Sequence, residues 1–398
     1  MGRSDPPAAG LTATGSAEAS RQTAGRNWPL VVRRARAEDR DPVLGFASRT
    51  WDGWDYIPHA FDAWLDAPDG ELLIGAVGDG AEGDRPLDHE GRPLETGDVI
   101  AVARVARLSS DEAWLEGIRV DPRVRGMDVA TDLQVAELRL AAPLATIVRY
   151  ATGERNEASH RLGARHGFEL LASFRSYRWS ADGSEEERRS PESPSGFDDE
   201  PRSAATARRQ ELLSALGAAG LVAPLDEADR WWASLSRDAT FLAGERLYEQ
   251  RGWTLQELDQ ARFQGHVQRG EVLVVGEPGD GAGRYDAGRG WALAILPAEV
   301  FPSEDVSLHL ALLCGEGRSA LRLVTDIARS ASDSLRFRQP EGSPLIAGHE
   351  ADFAAAGFAV REWQLHILAR PLDAHHPPPE LPDPSVLLIE NDPTPSLA

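Results

Sequence analysis

Lysine is missing altogether: the 42 basic residues of this 398-residue chain, histidine aside, are all arginine. Without lysine there is no Schiff-base amine, no P-loop lysine and no kinase-type ATP lysine, so those chemistries fall away. A single cysteine, Cys314, excludes an internal disulfide and suits a reducing cytoplasm. No run approaches the ~20 apolar residues that cross a bilayer. The polar, alanine-rich N-terminus has no apolar core for a signal peptide. The ten histidines form no H-x-x-x-H and no Cys/His pair at ligand spacing, so no metal is expected. A net charge of −22 argues against nucleic-acid phosphate or an anionic membrane as partner.

What is present begins with Val120–Leu133, VDPRVRGMDVATDL. A short apolar strand, WLEGIRV, runs into Asp121-Pro122, then the basic turn Arg123-Val124-Arg125-Gly126, then an amphipathic helix. Proline stops strand pairing, and glycine lets the backbone turn tightly. The helix start offers unpaired N–H groups and the positive end of its dipole, as a pyrophosphate cradle needs. Val129, Leu133, Ala136 and Leu140 fall on one face of that helix.

The order of residues resembles motif A of the GNAT N-acyltransferases, V-x-P-x-x-R-G-x-G-[IV]-[GA]. Val120, Pro122, Arg125, Gly126, Val129 and Ala130 match it, while Asp128 stands where the middle glycine belongs. A second block, Asn156 to Phe168 (NEASHRLGARHGF), resembles the family's N-x-x-[AS]-x-x-L-Y-x-x-x-G-F helix and strand start. Between the blocks TIVRYATG reads as a β-branched strand. The family's element order spans roughly residues 28–180, more specific than either motif alone.

Composition divides the chain into a Gly/Ala/Ser/Thr-rich tail (1–27), a first domain (28–180), a charged Pro/Ser-rich linker (181–208), a second domain (209–372) and a Pro-rich tail (373–398). The second domain reads as a worn repeat of the first. WTLQELDQARFQGHVQRGEVLVVG lies against WDGWDYIPHAFDAWLDAPDGELLIGAVG, and Trp291–Leu296 against Val99–Val105. Val306–Leu313 matches the strand before the phosphate turn, Ser319–Ser330 the cradle helix, and Phe353–Phe358 the end of the Asn156 block, with a last strand at Trp363–Leu368. Cys314-Gly315-Glu316-Gly317-Arg318 replaces motif A, without its proline and R-G-x-G turn. The expected fold is α/β (α+β): two GNAT-like domains, each a mixed, mostly antiparallel sheet flanked by helices, with central strands splayed at the cofactor site.

The resemblance implies acetyl-CoA as acyl donor. Backbone at Ile118 and Val120 would bond the pantetheine and acyl group. N–H groups around Arg125, Gly126, Met127, Val129, Ala130 and Thr131 would hold the pyrophosphate, with Asn156 beside them. Asp128 has two readings: an N-cap, or a charge set against the phosphates at a cost of ~1 kcal/mol or more. Gly163 stands where the family often has a tyrosine that protonates the departing thiolate. A thiol of pKa near ~8.5 can leave without that help. His160 and Ser159 nearby read as surface residues. Glu116 is either the general base for an ammonium acceptor or a solvent-facing strand carboxylate. Gly117 marks a bulge where the central strands part. Trp51, Trp54 and Asp55 head an acidic, aromatic stretch suited to a cationic amine, or else to an ordinary amphipathic helix.

The sequence thus points to a cytoplasmic tandem protein whose first domain transfers acetyl from acetyl-CoA to an amine, small molecule or peptide, by direct attack. A non-catalytic acyl-CoA sensor or scaffold stays open beside it. The second domain would shape the acceptor pocket or make a homodimer.

Overall fold

The computed structural model describes residues 26–48, 50, 55–80, 85–179, 202–277, 290–299, 308–331, 334–382 and 385–388. The first unit runs β1 (Leu30–Arg34), α1 (Arg40–Ala47), α2 (Ile57–Leu65), β2 (Gly70–Val77), β3 (Val99–Arg107), β4 (Glu112–Val120), α3 (Val129–Ala141), β5 (Ile147–Gly153), α4 (Glu157–Arg165) and β6 (Glu169–Trp179). The second opens with α5 (Arg202–Ala218), α6 (Ala228–Leu235), α7 (Ala239–Ala243), β7 (Leu247–Arg251), β8 (Thr254–Glu257) and α8 (Gln260–Gln268). It continues β9 (Val272–Val275), β10 (Ala292–Ile295), β11 (Leu308–Leu310), β12 (Leu312–Gly315), α9 (Gly317–Ala331), β13 (Leu335–Pro340), α10 (Glu350–Ala355), β14 (Phe358–Pro371) and β15 (Val386–Leu387).

Strands β2 and β3 are nearly continuous apolar runs because helices cover both their faces. On one face α1 and α2 bury Val43, Ile57, Phe61 and Trp64. On the other the apolar stripe of α3 meets Leu73, Val105 and Leu115. The second unit repeats the scheme with α9, whose Ala320, Leu323, Val324 and Ile327 pack on β9 and β10.

The units are not separate bodies. One sheet carries the order β11-β13-β6-β14-β5-β4-β3-β2-β1-β15. Pairing is antiparallel except at β4–β5, β11–β13 and β1–β15. The last strand of each unit lies against the other unit: β14 sits between β5 and β6, and β6 sits between β14 and β13. The exchange is apolar at heart. Leu365 and Ile367 of β14 are fully buried with Ala172 and Phe174 of β6 and Trp114 of β4. Each such side chain is worth ~2 kcal/mol of burial. Two ion-pair groups add to the seam. Buried Glu112 takes Arg149 and, from the second unit, Arg262 (3.0 Å) and the Glu257 N–H (2.9 Å). Asp69 takes Arg104 (2.6 Å) and, from the second unit, Arg251 (2.7 Å).

Several expected boundaries move. Residues 26–27 belong to the fold: Arg26 forms a buried ion pair with Asp132 (2.6 Å) and donates to Ser385 Oγ (2.8 Å). Helix α5 starts inside the stretch read as linker. The Pro-rich end is not wholly a tail, because β15 pairs with β1 and Leu381 and Leu387 pack on the core. The segment laid against α2 also divides. Only α8 is helical, whereas Thr254–Glu257 forms a hairpin with β7, with Gln256 Nε2 donating to Tyr248 Oη across the pair (2.5 Å).

The exchange predicts that residues 1–180 alone, lacking the strand between β5 and β6, are insoluble or lack cooperative unfolding. Co-production with residues 202–398 should restore a soluble complex. A fragment 1–180 that folds cooperatively by itself in urea titration would contradict this.

Candidate active site

Strand β4 pairs with β5 only over Glu112–Trp114 against Ile147–Arg149. Beyond that point β4 follows β3 and β5 follows β14, so a cleft opens between them. At Gly117 (φ 74°) the β3–β4 register shifts, Ala103 facing two residues, as a bulge requires. A Cβ there would press on the Trp64 ring at 2.7 Å, so glycine is needed for space as well as for angle. Ile118 and Val120 follow, half-buried against the core, on the strand edge that faces the cleft.

The turn after β4 is built by its own side chains. Asp121 accepts from the Arg123 N–H (2.8 Å) and from Arg123 Nε (2.9 Å). Gly126 (φ 79°) and Asp128 (φ 57°) both take left-handed backbone, which aspartate tolerates better than most residues. Distant segments occupy the turn's carbonyls: Arg26 donates to Met127 O (3.3 Å) and the His89 N–H to Arg123 O (3.1 Å). Of the N–H groups expected to face a pyrophosphate, Arg125 and Met127 make long bonds to Pro122 O (3.4 Å) and Val124 O (3.3 Å). Among the described residues, those of Gly126, Val129, Ala130 and Thr131 have no backbone acceptor. They converge at the positive end of a 13-residue helix.

Asp128 stands at the N-cap position of α3, yet its carboxylate caps nothing. It takes Arg165 of α4 instead (3.1 Å), and the same guanidinium nitrogen donates to Thr131 Oγ1 (3.3 Å). Arginine 165 is thereby held beside the cradle, and the aspartate's charge is offset. Asn156 caps α4, its Oδ1 accepting from the Ser159 N–H (3.2 Å); the side chain expected near the cofactor is engaged in the helix start. His160, on that helix, packs edge-on against His366 of the exchanged strand β14, with ring centroids 5.1 Å apart.

The residues assigned to acceptor chemistry stand differently from expectation. Glu116 is neither free nor solvent-facing: it is ion-paired with buried Arg104, whose guanidinium also lies over the Trp64 ring. Asp55 is buried and clamped by Arg119 through two contacts (2.7 and 3.1 Å), with Tyr56 against the same guanidinium. A carboxylate so neutralised has little attraction left for an amine. Trp51 and Trp54 lie outside the described residues.

Gly163 acquires a reason. A Cβ there would collide with the Tyr150 hydroxyl, which donates to Ser159 O (3.0 Å) while its ring meets Phe168 edge-on. A tyrosine from β5 thus fills space that a larger residue on α4 would need. Burial pushes its pKa up to about 12, so it stays neutral. Sequence reasoning missed Tyr150, Arg165, His366 and Glu137, a carboxylate in the middle of α3. Glu137 follows Ala136 of the apolar stripe directly, and that position was its only signal.

In the second unit the same divergence recurs: β11 pairs with β13, whereas β12 turns away to pair with β10. Here the cleft is filled from within the chain. Phe241 of α7 and Leu247 and Tyr248 of β7 line the little space left beside Ala311–Leu313 and Arg338–Pro340. The Glu249 N–H takes Ala311 O (2.9 Å) and Gln339 Nε2 takes Leu313 O (3.0 Å). Glu249 itself is buried. Burial raises its pKa, but Arg338 and Arg336 beside it outweigh that and hold it down at about 2. At the start of α9, where a phosphate would lie, the chain places the Glu316 carboxylate, which accepts from Ser319 Oγ (2.9 Å).

No family profile and no curated protein matches this chain. Among solved structures it is similar to a GCN5-related N-acetyltransferase from Sphaerobacter thermophilus, with 14% identity, 86% of this chain and 96% of that chain covered, and TM-score 0.46. A GCN5-related N-acetyltransferase from Kribbella flavida gives 13%, 88%, 73% and 0.41. A tandem GNAT protein from the clavulanic acid biosynthesis pathway gives 12%, 87%, 99% and 0.41. At such scores the roles of residues rest on this chain's own geometry.

Gly163→Ala tests the packing directly. In an open helix that change stabilises by up to ~1 kcal/mol. Here it should destabilise by ~1–3 kcal/mol in urea unfolding through overpacking. Adding Tyr150→Phe should recover part of the loss; a stabilised Gly163→Ala would contradict the contact.

Proposed function

We propose that the first unit is an acyl-CoA-dependent N-acyltransferase moving acetyl from acetyl-CoA to an amine, and that the second unit is its structural partner. One observation carries this reading: where β4 and β5 part, the N–H groups of Gly126, Val129, Ala130 and Thr131 have no backbone acceptor among the described residues, whereas in the second unit Glu249 and Gln339 bond the carbonyls beside the corresponding parting. The free amides of Gly126, Val129, Ala130 and Thr131, with Arg165 beside them, suit a pyrophosphate. The cleft edge at Ile118–Val120 suits an extended amide arm bonded as a strand would be. The amine would attack the thioester directly, with most of the rate from alignment and aimed donors. No metal enters this chemistry.

Glu116 keeps a place in it as the carboxylate two residues past the last β4–β5 pair, held by Arg104. That pairing, with the clamped Asp55, supports a second reading, a protein that binds acyl-CoA without transferring it. Acetyl-CoA with a panel of primary amines separates the two by thiol release. Thermal stabilisation by acetyl-CoA without thiol release would favour the binding protein, and no stabilisation would contradict both.

Asp128→Asn keeps a residue that accepts left-handed backbone and removes its charge. Acetyl-CoA should then bind tighter by ~1 kcal/mol, about fivefold in Kd, as expected for an ion-pair partner near the protein surface. Arg165→Gln should weaken binding while leaving kcat within about twofold, since the lost contact is the same in ground and transition states. Unchanged Kd in both variants would place the phosphates elsewhere.

A further inference from the structure

Helix α3 carries a carboxylate with no cation beside it among the described residues. Glu137 is 1% exposed, and its Oε1 has no hydrogen-bond partner among the described residues. One turn earlier Gln134, also buried, leaves its Oε1 unpartnered. Ala130, Gln134, Glu137 and Ala141 recur at i, i+4, i+7 and i+11, so they form one flank of the helix, leading away from the cradle's free amides. Glu137 lies within electrostatic reach of Glu116 on β4 and of Tyr150 on β5. Both are just past the last pair that joins those strands, Trp114 with Arg149. The buried carboxyl is therefore close to the point where β4 and β5 part.

We infer that Glu137 is the proton donor to the departing thiolate in this cleft, an inference that rests on the acyl-transfer reading above. The role is vacant, because α4 offers glycine at position 163 and the Tyr150 hydroxyl is committed to Ser159 O. A charge buried without a partner costs far more than a proton, so the carboxyl stays neutral. The groups that face it act the same way: Glu116, though paired with Arg104, adds negative potential, while Tyr150 and Gln134 carry no charge. Burial first, then Glu116, hold Glu137 well above the usual carboxylate range.

The step balances. The amine nitrogen forms a bond to the carbonyl carbon, and the C–S bond breaks with its electron pair left on sulfur. Sulfur takes the carboxyl proton from Glu137. The carboxylate takes back the proton that the new amide nitrogen sheds.

Glu137→Gln keeps shape and packing and removes the proton. With acetyl-CoA and the best amine of the panel, kcat should fall by about 100-fold, at the low end of general acid catalysis. KM for acetyl-CoA should stay within about threefold. Wild-type kcat should decline as pH rises through the raised Glu137 pKa, and the variant should lack that limb; Glu137→Asp should regain part of the rate. A second arm needs no turnover. The folded state binds a proton that the unfolded chain releases, so wild-type stability should fall relative to Glu137→Gln as pH rises above the unfolded carboxylate range, levelling off past the folded pKa. Parallel stability curves, or a variant that keeps kcat or the basic limb, would overturn the assignment. A wild type that shows the stability difference but releases no thiol would overturn the acyl-transfer reading, and the donor role with it.

Discussion

The parting of β4 from β5 after three residue pairs is the constraint on which the rest of the molecule depends. A parallel pair that stops early leaves backbone groups facing a gap, and buried backbone groups must find partners. The protein answers twice, in different ways. In the second unit the chain supplies them itself, with Glu249 N–H and Gln339 bonding Ala311 and Leu313 and with Phe241 and Tyr248 filling the volume. In the first unit, among the described residues, the N–H groups of Gly126, Val129, Ala130 and Thr131 are left over. Unmet donors at a helix start are a standing demand for an anion.

The second unit's degeneracy is therefore also its use. Its plug carries Arg251 to Asp69 and, with the helix that follows, Arg262 and Glu257 to Glu112, and its last strand completes the first unit's sheet. Strand exchange joins strands of both units in one ten-stranded sheet, whose edge strands among the described residues are β11 and β15. A unit that had kept an open cleft would lack the residues that brace its neighbour.

The local parts of this design were legible in the sequence. The turn residues Pro122 and Gly126, the bulge at Gly117 and the stripe of α3 each follow from a few neighbouring side chains, and each is where periodicity and turn chemistry place it. The repeat was visible too, down to the helix that replaces the cradle helix. What stayed hidden depends on partners far apart in the chain. Nothing near Glu116 announces Arg104, nothing near Asp55 announces Arg119, and Asp128 gave no hint of Arg165. The exchange of β6 and β14 is likewise a choice among equally apolar strands, which no local pattern records. The strand at Thr254–Glu257 was hidden because the segment from Trp253 was laid whole against the helical region of the first unit.

The central claim is that one cleft is open and its counterpart is filled. Calorimetric titration of the full chain with acetyl-CoA tests it most directly. One molecule bound per chain, lost when the Gly126–Thr131 turn is disrupted and indifferent to substitutions at Glu316, is the predicted result. Two molecules per chain, or one that survives disruption of that turn, would contradict it.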